Sequence, residues 1–201
     1  LRELSGVRAL DGSARRAVVA GGTRIAELGA PFERAGLALH NQGDVDTQAI
    51  AGAVATATHG TGVTCRNLSS AVRAVRIVLA SGDVVDCSPA VEASLFEACR
   101  VSLGAFGVVT ALELDLSAAY RLHERTWFEP TESVLSRLST LTTATRHFEF
   151  FWFPDQDRCF CKSLDPTERD VVGSIGRATT TEATTNPIVA AQPRQSLGVA
   201  P

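Results

Sequence analysis

The chain has 201 residues, 45% of them hydrophobic, which is enough for one sizeable core or a little more. Its 19 basic and 22 acidic residues give a formal charge of −3, and no basic run exceeds Arg15-Arg16. That excludes a nucleic-acid partner held by phosphate neutralisation. No apolar run approaches the ~20 residues of a transmembrane helix, and Leu1-Arg2-Glu3 lacks the basic-then-apolar layout of a signal peptide. With no methionine anywhere, the chain is expected to start within a longer protein. Its five cysteines, without secretory features, favour free thiols in a reducing, cytoplasmic setting, with peripheral membrane association left open.

In chain order, Ala17-Val18-Val19-Ala20 predicts a strand and Gly21-Gly22 a turn. Thr23 can cap a helix carrying Ile25, Leu28, Phe32 and Ala35, with Pro31 expected to kink or shorten it and Gly36 to end it. Leu37-Ala38-Leu39 predicts a brief strand, and Gln48 to Ala55 a short buried helix. Val72 to Leu79 alternates apolar residues with Arg73 and Arg76, as a half-buried strand does. Ser81-Gly82-Asp83 turns it back into Val84 to Cys87. A helix follows over Val91, Leu95, Phe96 and Ala98, then a break from Ser102 to Gly107 and a strand from Val108 to Leu116. Leu122 to Phe128 reads as a strand, and Glu129-Pro130-Thr131 opens a helix with Val134, Leu135, Leu138 and Leu141. Phe148 to Phe153 and Cys159 to Lys162 read as paired strands. From 173 to 201 the Thr/Ser/Pro-rich, aperiodic composition predicts a disordered tail.

The stretch from Gly43 to Gly62 (GDVDTQAIAGAVATATHGTG) stands apart. It is too small and too uncharged for a surface helix, and too rich in backbone donors for ordinary core. Exposed N–H groups beside small side chains form concavities that suit phosphate or ring carbonyl oxygens. The stretch therefore reads as a backbone-lined ligand site, with a tightly packed Gly/Ala helix as the rival reading. Elsewhere, Cys159-Phe160-Cys161 places two thiols on one strand face. A metal pair would need further ligands, for which His147 is the nearest candidate, and two small core residues is the simpler account.

The segment from His40 to Gly62 (HNQGDVDTQAIAGAVATATHGTG) resembles the flavin-binding segment of the aldonolactone and alditol oxidases, within the wider vanillyl-alcohol-oxidase-like flavoproteins. Two further stretches are similar to that family: Ser102 to Thr110 (SLGAFGVVT), and His147 to Pro154 (HFEFFWFP), like the opening of the sugar-lactone oxidase substrate domain. The resemblance implies an α+β FAD-binding domain of the vanillyl-alcohol-oxidase (PCMH) type over residues 1–118. The start of the substrate domain follows over 119–172, and the family's pyrophosphate loop and its covalent-attachment histidine lie upstream.

By the same resemblance, Gly43, Asp44, Ala49, Gly52, Thr56, Ala57, Thr58, His59 and Gly60 stand where the family touches FAD. Gly107, Val108 and Val109 stand at the adenine end. The hydroxyls of Thr56 and Thr58 can bond phosphate or ring oxygens. His59, with no carboxylate in its motif, is expected to orient the loop rather than act as a base. Glycine at 43 leaves room at the ring edge for dioxygen, which favours an oxidase. The implied activity is hydride transfer from a sugar-1,4-lactone or polyol to flavin, with oxygen or another acceptor reoxidising it. The family's catalytic residues fall beyond Pro154, so none is named. The alternative is a non-catalytic remnant that binds FAD weakly or not at all.

Overall fold

The computed structural model describes residues 3–170, and the expected tail from 173 to 201 lies outside the described residues. Five antiparallel strands form the first sheet: β1 (Val7–Asp11), β2 (Arg16–Ala20), β4 (Val72–Val78), β5 (Val84–Cys87) and β6 (Val108–Asp115), in the order β1-β2-β6-β4-β5. Two-residue strands β3 (Leu37–Ala38) and β7 (Ser117–Ala118) pair separately. Across the centre, Ala17, Leu114 and Val72 form one buried rung, and Val19, Leu112 and Val75 the next. A register shift between Val72 and Ala74 lets both Val72 and Val75 point inward despite their odd spacing. Arg73 and Arg76 stay outside on Asp115 and Asp86. Such exposed pairs contribute only about 0–1 kcal/mol each.

The same core receives helices α1 (Ile25–Arg34), α2 (Ile50–Ala55) and α3 (Ala93–Arg100). Ile25, Leu28 and Phe32 follow helical spacing and are all at most 2% exposed. Burial of each stabilises the fold by about 1.5–3 kcal/mol. That drive carries α1 through Pro31 to Arg34 without the expected shortening. Thr23 is not its cap. The Thr23 hydroxyl is turned inward, donating to the Ala20 carbonyl at 2.6 Å and accepting from Gly6 N–H at 2.9 Å. Arg24 caps instead, its N–H donating to the Glu27 carboxylate at 3.2 Å.

A second, three-stranded sheet has the order β8-β10-β9, built from β8 (Leu122–Pro130), β9 (His147–Phe151) and β10 (Arg158–Pro166). Between β8 and β9 lie α4 (Thr131–Ser136) and α5 (Leu138–Ala144). These are two helices where the sequence predicts one, because Arg137 leaves helical geometry and its side chain pairs with Glu129. One face of this sheet buries Phe148, Cys159 and Cys161 against Val134. The two thiol sulfurs lie 3.8 Å apart, while His147 is engaged elsewhere. The opposite face carries the rung Phe128-Phe160-Phe151 and, beside it, Thr126-Lys162-Glu149. Strand β9 ends at Phe151, short of the expected Phe153, and Trp152 is exposed.

Candidate functional site

Residues 39–62 cross the first sheet's helical layer as two irregular arms joined by α2. The first arm, Asn41 to Ala49, has no regular structure. None of the seven consecutive backbone N–H groups from Gly43 to Ala49 finds an acceptor among the described residues. The arm is fixed instead through its carbonyls. Asp46 accepts from Ala26 N–H at 2.9 Å, and Gln48 accepts from Ile25 N–H at 3.0 Å.

Helix α2 buries Ile50, Ala51, Ala53 and Val54 and turns Gly52 outward. A Cβ built on Gly52 would meet nothing within 4 Å. No neighbour among the described residues therefore requires glycine there. At the C-terminus, Ala57 N–H donates to Val54 at 3.1 Å and Thr58 N–H to Ala53 at 2.8 Å, with Ala57 in the left-handed region at φ 55°. For alanine that conformation costs about 1–2 kcal/mol. It reverses the chain so that the second arm, Thr58 to Gly62, runs beside the first. The arms touch at Gly60, where a Cβ would lie 2.2 Å from the Gln42 carbonyl oxygen and 2.6 Å from Asn41 Oδ1.

The other predicted residues of the segment lie along these arms and at the ends of α2. Ala49 is the N-cap of α2. The Thr56 hydroxyl donates to the Gly52 carbonyl at 3.0 Å and lies 3.3 Å from the Thr58 hydroxyl. The exposed His59 ring has Nδ1 2.8 Å from the Gly60 carbonyl. A carbonyl can only accept, so Nδ1 is the donor in this contact. Gly43 is not in the left-handed region, and a Cβ there would press on the His59 carbonyl at 3.0 Å. A turn with positive φ is therefore not what places glycine at 43.

Gly107, Val108 and Val109 lie on a different stretch, joined to α2 through the Leu103 N–H bond to the Ala55 carbonyl at 3.0 Å. Gly107 has a packing reason of its own: φ is 146°, and a Cβ would sit 2.2 Å from the Val78 carbonyl. Val109 is buried, while Val108, Leu103 and Phe106 are exposed.

Several contacts were invisible to sequence reasoning. Asp44, itself exposed, is held by Lys162, whose Nζ lies 2.8 Å from both carboxylate oxygens. Glu149 is 3.0 Å and Glu124 3.9 Å from the same nitrogen. Burial works to lower the Lys162 pKa, but hydrogen bonds and charge from Asp44 and Glu149 outweigh it and raise it above the ordinary value. The ends of the segment are also anchored from the second sheet's side. Tyr120 donates to the Leu39 carbonyl at 3.0 Å, Arg146 to the His40 carbonyl at 3.2 Å, and His147 Nδ1 lies 2.9 Å from the Thr61 carbonyl. A cavity of about 360 Å3 lies behind the arms, lined by Leu39, His40, Asn41, Ile50, Asn67 and Arg146 among others, and contains none of the twelve predicted residues.

The bare helix face at Gly52, the orphan N–H row and the hydroxyls of Thr56 and Thr58 fit a ligand rich in carbonyl and phosphate oxygens. Comparison with known proteins agrees in order along the chain. Residues 1–88 match the FAD binding domain family, and residues 112–191 match the D-arabinono-1,4-lactone oxidase family. The L-gulono-1,4-lactone dehydrogenase of Mycobacterium tuberculosis is 40% identical over 146 residues, covering 73% of this chain and 33% of that one. The alditol oxidase of a Streptomyces species is also 40% identical over 146 residues, covering 73% and 34%.

Along both matched stretches the chain is similar to the FAD-dependent aldonolactone and alditol oxidases. Its cofactor is FAD, and its fold is the α+β fold of these flavoproteins. A His121Ala form of cholesterol oxidase from Brevibacterium sterolicum superposes with a TM-score of 0.75 at 14% identity over 83% of this chain and 35% of its own, a likeness of fold alone. The chain spans about a third of the length of the curated relatives it matches. Among its described residues no helix is long and apolar enough to cross a membrane.

Proposed function

We propose that the protein carrying this chain oxidises a CH–OH group of a sugar-1,4-lactone or polyol, with oxygen or another acceptor taking the electrons onward. When bound, FAD supplies the two-electron acceptor for that chemistry. This chain's part is to hold and orient it. The N–H row from Gly43 to Ala49, the exposed backbone at Gly52, and Thr56, Ala57, Thr58, His59 and Gly60 would face the cofactor. Gly107, Val108 and Val109 would border its adenine end. Residues 1–118 are read as the cofactor domain and 119–172 as the opening of the substrate domain, whose Phe-rich face and Lys162-Glu149 rung look toward the cofactor segment.

The observation that carries the reading is the row of seven backbone donors left without an acceptor among the described residues, lying inside the stretch matched by the FAD binding domain family. The test is to purify the intact protein, measure flavin absorbance after denaturation, and mix it anaerobically with a panel of sugar lactones and alditols. Stoichiometric flavin that bleaches with a member of the panel is expected. Flavin-free protein, or bound flavin that no lactone or polyol bleaches, refutes the proposal.

A further inference from the structure

Between Gln42 and Asp46 the first arm is an arc with almost no attachment. Gly43, Asp44 and Val45 make no backbone hydrogen bond to the described residues, and the side chain of Val45 is 60% exposed. The ends of the cofactor segment are fixed through carbonyls at Leu39, His40 and Thr61, but these anchors leave the arc itself free. Its one hydrogen-bonded tether among the described residues is the pair between Asp44 and Lys162, 118 positions away in sequence.

Lys162 is suited to that task and to little else. Its side chain is only 12% exposed, and Glu149 sits opposite it in the β9–β10 register. Glu149 at 3.0 Å and Glu124 at 3.9 Å hold the ammonium in place from within the second sheet. The ammonium is thus aimed out of the sheet at Asp44, with its direction set by the rung beneath it.

We infer that Lys162 is a positioning residue, holding Asp44 so that the Gly43–Val45 arc keeps one fixed place beside the cofactor. The inference rests on the FAD reading above for what the arc faces, but the tether itself can be tested without the cofactor. Loss of the pair frees the arc while the end anchors, α2 and both cores stay intact. Misplacement of about 1 Å beside reacting groups costs on the order of 100-fold in rate.

Four variants of the intact protein decide it: Lys162→Met, Asp44→Ala, the double variant and Lys162→Arg. Backbone amide order parameters at residues 43–45, measured by NMR relaxation, should fall in both single variants and no further in the double, because one contact is lost in each case. Arginine at 162 should restore most of the order. In flavin-loaded protein, Lys162→Met and Asp44→Ala should alter the visible circular dichroism of the flavin and lower its limiting rate of reduction by about 10- to 100-fold, with little change in KM. Asp44 is 61% exposed, so Asp44→Ala folds even if Lys162→Met does not. Unchanged order parameters in Asp44→Ala, or single effects that add in the double variant, overturn the tether. Lower order with unaltered flavin dichroism and reduction rate overturns the positioning role. A parent protein without flavin overturns the FAD reading instead, and the order parameters still report on the tether.

Discussion

Gly52 separates the two reasons a glycine can stand in a helix, because substitution there should move stability and cofactor binding in opposite directions. A Cβ at 52 meets nothing within 4 Å, and the residue has ordinary helical geometry in the middle of α2. Replacing glycine by alanine at such a position gains about 0.5–1 kcal/mol of folding stability. For a domain of this size the gain corresponds to about 1–4 °C in Tm. If FAD lies against this face, the same methyl group pushes it away. Overpacking of this kind costs about 1–3 kcal/mol, or about 5- to 150-fold in Kd. The assay is a thermal melt of the cofactor-free Gly52→Ala protein by circular dichroism, beside an FAD titration followed by flavin fluorescence. A higher Tm with a weaker Kd is expected. A higher Tm with unchanged Kd would show that the cofactor does not touch this face, and a lower Tm would refute the open space.

Two further outcomes follow from the second sheet and the thiols. Hydrogen bonds from Ser133 and Trp127, then the Arg137 charge, hold the Glu129 carboxyl down at about 2 against an ordinary 4.5, outweighing burial. A depressed carboxyl stabilises the fold above pH ~4.5 and loses that contribution as pH falls toward 2. Parent stability should therefore decline across that window more steeply than in Glu129→Gln, as followed by Trp127 fluorescence in acid titration, and equal slopes would refute it. Burial pushes Cys87 up to about 11 and Cys161 up to about 12, so neither forms thiolate at pH 8. A chromogenic disulfide reagent should label only the half-buried Cys65 among the five cysteines until denaturant is added. Fast labelling of a second thiol in the native protein would contradict that.

The elements that could be read from sequence are those whose cause is local. Ile25, Leu28 and Phe32 announce α1 by spacing, and Ser81-Gly82-Asp83 announces the β4–β5 hairpin. The match to the FAD binding domain family was legible because the order of small residues from His40 to Gly62 resembles that of the aldonolactone and alditol oxidases. What escaped was set by partners distant in sequence. Strand β1 is an edge strand with mostly exposed side chains and little periodic signal. Gly60 and Gly107 look like ligand glycines in sequence, yet each is hemmed in by protein backbone, from Gln42 and Val78 respectively. No local pattern in Asp44 or Lys162 says that the two meet, since their pairing depends on how the second sheet docks.

Anchoring the cofactor segment from the far side of the chain also sets an order of events during synthesis. Thr61 must wait 86 residues for His147, His40 must wait 106 for Arg146, and Asp44 must wait 118 for Lys162. At ribosomal rates of about 5–20 residues per second, the last interval is about 6–24 s. Throughout it the nascent arms keep their local bonds to Ala26 and Ile25 but lack these three anchors. A ribosome-stalled chain ending before His147 should therefore show the helices of the first sheet and a 39–62 segment whose ends are free. Loading of FAD would then be timed by the lactone-oxidase half of the polypeptide rather than by the domain that carries the cofactor's name.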